Sequence, residues 1–88
     1  MKIQLDGRLM TDKAAVHNQF QEKLLFPQYY GRNLDALYDL LTSLPEAAEI
    51  DLFEKDAMLE QLGAYGASLL ATLLQAEENA GNLTINIF

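Results

Sequence analysis

Asp35 and Asp39 stand four residues apart in the run Asn33-Leu34-Asp35-Ala36-Leu37-Tyr38-Asp39-Leu40-Leu41-Thr42. On a helix, positions i and i+4 lie one above the other, so both carboxylates share a face with Thr42 and Glu46. Leu34, Leu37, Leu41 and Leu44 then fall on the opposite, inward face. Such a pair could serve two chemistries. Carboxylates on adjacent helical turns approach the separation used in glycoside hydrolysis, and on an exposed stripe they can hold a cationic partner. A third reading is a plain solvated face. Acid–base catalysis needs a cleft and a raised pKa as well as two acids, and 88 residues leave little chain to wrap a sugar. Partner binding has more behind it than catalysis, although on pattern alone the solvated face is the default. Tyr29, Tyr30 and Tyr38 lie close in sequence to the pair, and tyrosine supplies large contact area with few rotors.

Other chemistries find little support. The single histidine, His17, lies between Val16 and Asn18 with no nucleophile at a motif spacing, which reads as a boundary histidine with a hydrogen-bond partner. Gly63-Ala64-Tyr65-Gly66 lacks the spacing and the lysine of a phosphate-binding loop and reads as a helix–helix turn. With no cysteine and no ligand spacing for a cation, neither a metal nor another cofactor is expected.

Thirteen acids against six bases give a net charge of −7. A chain this acidic does not suit direct binding of nucleic acid or adhesion to an anionic membrane. The charge is unevenly placed: residues 33–60 carry eight acids against Lys55 alone, while residues 1–32 are net positive at +2. No run reaches the roughly 18 apolar residues of a membrane span, and the first residues lack the apolar core of a secretion signal. The expected compartment is the cytoplasm.

These residues need elements to position them. Ile3 and Leu5 alternate with polar neighbours and predict a strand ended at Asp6-Gly7. Thr11 or Asp12 can cap a first helix with Val16, Phe20 and Leu24 inward, ended by Pro27. The loop Gln28–Arg32 follows, with Gly31 expected to take the unusual backbone angle. Asn33 caps the second helix, and Leu44-Pro45 is expected to stop it. Residues 49–53 alternate as a second strand, a short helix runs over about 54–62 to Gly63, and a longer one over about 66–79. The longer helix should turn Leu69, Leu70, Leu73 and Leu74 inward, and Leu83, Ile85 and Ile87 form the closing strand. The order β-α-α-β-α-α-β predicts a single α/β domain over residues 1–88, a small parallel three-stranded sheet packed with four helices.

The run from Pro27 to Thr42, P-x-Y-Y-G-x-N-L-D-A-L-x-D-x-L-T, resembles the barstar family of intracellular ribonuclease inhibitors, and the resemblance extends over essentially the whole chain. It implies a barstar-like fold and no enzymatic activity. The loop and second helix would plug the active site of a small, basic, barnase-like ribonuclease of the guanyl-specific type. Asp39 would be the central anchor where an RNA phosphate would sit, and Asp35 would meet an arginine or backbone donors. Tyr29 would stack over a catalytic histidine, with Tyr30 beside it in the partner-binding loop, Tyr38 and Thr42 as flanking contacts, and Gln75 and Asn79 on the last helix nearby. The free protein is expected to be a monomer.

Four positions depart from the family pattern. Tyr38 replaces a tryptophan, Arg32 an acid, and Gln75 and Asn79 two glutamates. These changes leave an alternative open, a barstar-fold interaction module for another basic protein.

Overall fold

A computed structural model describes residues 1–88. The alternation of Ile3 and Leu5 builds β1 (Lys2–Asp6), and a short 3-10 turn at Gly7–Leu9 leads to α1 (Lys13–Leu24) and α2 (Leu34–Leu41). The chain continues through β2 (Ala48–Phe53), α3 (Lys55–Leu62), α4 (Ala64–Asn79) and β3 (Leu83–Ile87). The strands pair in the order β1-β2-β3, all parallel, with Ile3 beside Ile50 and Ile50 beside Ile85. This is the expected α/β architecture with one addition, the 3-10 turn. Both crossovers step the same way across the sheet, so right-handed connections put all four helices over one face.

Burial follows from that arrangement. Leu5, Ile50, Leu52 and Ile85 point into the core beneath the helices. On the opposite face, Gln4, Phe53, Thr84 and Phe88 are exposed. Asp51, the buried acid of that open face, lies 3.8 Å from Lys2 Nζ and accepts a 2.9 Å hydrogen bond from Asn86. Gly7 sits where the turn after β1 crosses the end of β2. A β-carbon there would lie 2.8 Å from the Phe53 carbonyl oxygen and closer still to that of Glu54, so no side chain fits.

Several boundaries differ from the sequence expectation. α1 ends at Leu24, before Pro27, because Leu25 takes a left-handed conformation and its N–H bonds the Gln21 carbonyl. α2 ends at Leu41, before Leu44-Pro45. The Ser43 hydroxyl turns back onto the Asp39 carbonyl at 2.6 Å, taking the acceptor that the Ser43 amide would use in a longer helix, and the Thr42 hydroxyl joins its own amide on the Tyr38 carbonyl at 2.9 Å. Glu46 therefore lies beyond α2 and outside its acidic stripe. Leu74 is exposed, since the buried stripe of α4 is the narrower set Gly66, Leu69, Leu73 and Ala76.

Candidate partner-binding site

α2 owes its place to its leucines. Leu37 and Leu41 are completely buried, and each contributes roughly 1.5–3 kcal/mol on leaving water. Repulsion between acids four apart costs only a few tenths of a kcal/mol. Packing wins, and the acidic face is tolerated. Asn33 starts the helix, its side chain accepting from the Ala36 N–H at 2.8 Å, and Asp35 falls in the first turn, where negative charge is favoured.

Asp35 and Asp39 are both exposed on the outer face of α2. Neither takes part in any of the protein's four ion pairs, so two unneutralised carboxylates sit one helical turn apart on a packed scaffold. Each borders a shallow depression. Asp39 shares one with Tyr29, Tyr30, Gly31, Ala36 and Leu40. Asp35 shares the other with Leu34, Tyr38, Thr72 and Gln75, in the seam between α2 and α4.

The aromatic residues take different parts. Tyr29 is 82% exposed and stands free beside Asp39. Tyr30 is 4% exposed: it lines the depression beside Asp39, while its ring packs on Phe26 and its hydroxyl turns inward to His17. Tyr38 is half-buried, and its hydroxyl accepts a 2.7 Å hydrogen bond from Asn79. That bond ties the exposed edge of α2 to the end of α4. Thr42 is half-buried at the C-terminal end of the helix, with its hydroxyl already donating to the Tyr38 carbonyl. The structure thus gathers Tyr29, Asp35, Tyr38, Asp39, Thr42, Gln75 and Asn79 around α2, with Tyr30 mostly buried at the edge of the Asp39 depression.

Sequence reasoning understated His17. Its ring is 1% exposed, and its two nitrogens lie 2.5 Å from the Tyr30 hydroxyl and 2.7 Å from the Tyr65 hydroxyl. A neutral imidazole donates through one nitrogen and accepts at the other, which suits two hydroxyl partners. Burial, and secondarily the nearby Arg32 cation, holds its pKa below the ordinary value. Burial likewise pushes the Tyr30 phenol up. With both nitrogens engaged by tyrosine hydroxyls, His17 belongs to the core rather than to the exposed acidic face.

The whole chain, residues 1–88, matches the family described as barstar, a barnase inhibitor. The chain belongs to the barstar family. A Bacillus subtilis (strain 168) protein named "Putative ribonuclease inhibitor YrdF" is 40% identical over 80 residues, covering 88% of this chain and 86% of that protein. Within this barstar-family chain, the side of α2 that faces α4 is neutral apart from Asp35. Gln75 lines the depression there, and Asn79 is held by Tyr38. α2 itself carries Asp35 and Asp39 outside any ion pair.

Proposed function

We propose that this protein inhibits a small, basic ribonuclease of the guanyl-specific, barnase-like type inside the producing cell, by seating α2 and the preceding loop in the enzyme's active site. The observation that carries this reading is the pair of exposed, unpaired carboxylates of Asp35 and Asp39 on one face of a packed helix, with Tyr29 beside Asp39. A ribonuclease pocket is built to hold phosphates, so rigidly presented carboxylates can occupy the same cationic groups. Asp39 serves as the central anchor, and Asp35 meets a second cationic or N–H donor group. Tyr29 covers an aromatic or imidazole ring, while Tyr38, Thr42, Gln75 and Asn79 form the rim. The inhibitor works as a monomer in the cytoplasm and needs no cofactor.

The test is titration of barnase with the protein while RNA cleavage is followed. Stoichiometric inhibition is expected, and Asp39→Ala should raise the inhibition constant by a factor of about 100 or more, since truncating a central charged anchor costs several kcal/mol. That magnitude is the general behaviour of buried charged anchors at protein interfaces, barnase with its own inhibitor among them, and is not a property of this chain's geometry alone. Absence of inhibition at micromolar concentration, for barnase and for related guanyl-specific enzymes, would overturn the reading and favour a different basic protein as partner.

A further inference from the structure

The segment from Leu25 to Arg32, which carries Tyr29 beside the acidic face, contains no helix or strand. It is nevertheless attached to α1 at three levels. Gln21 Nε2 donates to the Pro27 carbonyl at 3.2 Å, and the Tyr30 hydroxyl shares its hydrogen bond with His17. The Arg32 guanidinium donates to Asn18 Oδ1 at 2.7 Å, Gln21 Oε1 at 2.9 Å and the Ala14 carbonyl at 3.3 Å. Positions 14, 17, 18 and 21 are spaced i, i+3, i+4 and i+7, a single stripe of one helix.

Arg32 also adopts the left-handed backbone angle expected of its neighbour, with φ at 56°. That region is disfavoured for a residue with a β-carbon. All three acceptors of the guanidinium are neutral, and no carboxylate forms an ion pair with it. Neither charge pairing nor backbone preference accounts for its placement. The match of a planar, multiply donating fork to three acceptors on one helix face does.

We propose that Arg32 is a positioning residue: with Asn18 and Gln21 it clamps the 25–32 segment to α1 and so fixes Tyr29 and the helix cap Asn33 in the arrangement the partner meets. This inference rests on the partner-binding reading above. A segment ordered before encounter loses less freedom on binding, so the clamp acts on dissociation. The charge acts separately on association, because a cation near the acidic face weakens its attraction for a basic partner. Arg32→Lys keeps the charge but cannot span three acceptors. Arg32→Ala removes both charge and clamp.

Two measurements decide the proposal. The first is hydrogen exchange of the Tyr30 amide, which bonds the Pro27 carbonyl at 3.0 Å, in the free protein. The second is the association and dissociation rates with barnase as probe. Tyr30 exchange should rise at least about tenfold in both variants, with β2 amides unchanged, and dissociation should speed up about tenfold in both. Only Arg32→Ala should also associate faster. Unchanged Tyr30 exchange in both variants overturns the clamp, and faster exchange with unchanged dissociation overturns its role in binding. If wild type does not bind barnase, the inhibitory reading fails. The exchange arm then decides the clamp alone, a tenfold rise supporting it and no rise overturning it.

Discussion

His17 is the buried residue with the clearest consequence for solution behaviour. Its neighbours are the Tyr30 and Tyr65 hydroxyls, the Arg32 cation outside, and Lys13, whose ammonium lies 4.8 Å from the centre of the Tyr65 ring. None of these groups stabilises an imidazolium by charge. Burial keeps the folded-state pKa below 6.5, its ordinary value, so the unfolded chain takes up a proton in a range where the folded chain does not. The sign follows directly: this contribution to stability is complete above 6.5 and is lost as pH falls from there toward the lowered folded value. The urea midpoint should therefore be lower at about pH 5 than at about pH 7. His17→Gln, which keeps a donor and an acceptor, should flatten that part of the decline; an unchanged slope would show that other groups set it.

At the scale of the element, α2 depends on its cap. It has only eight residues, and isolated helices shorter than about 12–15 residues are marginal in water. Asn33→Ala removes the acceptor for the Ala36 N–H and should cost about 1 kcal/mol, read as a lower urea midpoint with an unchanged m-value. The cap was legible in the sequence because it is local: an asparagine just before an amphipathic leucine pattern has one natural use. The strands and the inward faces of α1 and α2 were legible for the same reason, and helical crossovers implied parallel pairing, whereas the order β1-β2-β3 was not legible. What escaped was set by contacts distant in sequence. Tyr30 finds His17 thirteen positions away, beyond any helical periodicity. Arg32 takes the strained angle in place of Gly31 because its guanidinium reaches α1, a gain that no propensity for residue 32 contains. The early end of α2 was obscured by Pro45, a strong stop signal pre-empted by the hydroxyls of Thr42 and Ser43.

Over the whole molecule, the net charge of −7 is divided by environment. Asp6, Glu49, Asp51 and Asp56 lie within 4.0 Å of basic side chains, whereas Asp35 and Asp39 have no such partner. Nine of the thirteen acids lack an ion pair, Asp35 and Asp39 among them, so the negative field that reaches a basic protein includes the groups of the proposed contacts together with acids elsewhere on the molecule. Association with barnase should be fast at low ionic strength and slow several-fold between about 20 and 300 mM salt, as the screening length shrinks past about 10 Å. Dissociation should change much less over that range, and stopped-flow mixing separates the two. Equal salt effects on both rates would argue against steering by this face.

The shortness of α2 bears on portability. The acidic face occupies barely two turns, held at one end by an asparagine side chain, at the other by two hydroxyls, and beneath by leucines whose partners lie elsewhere in the chain. Cut out as a peptide, those two turns would lose the burial that makes them a helix, and the carboxylates would lose their fixed spacing. The proposed recognition surface is small, but the unit that can be transplanted is the entire fold.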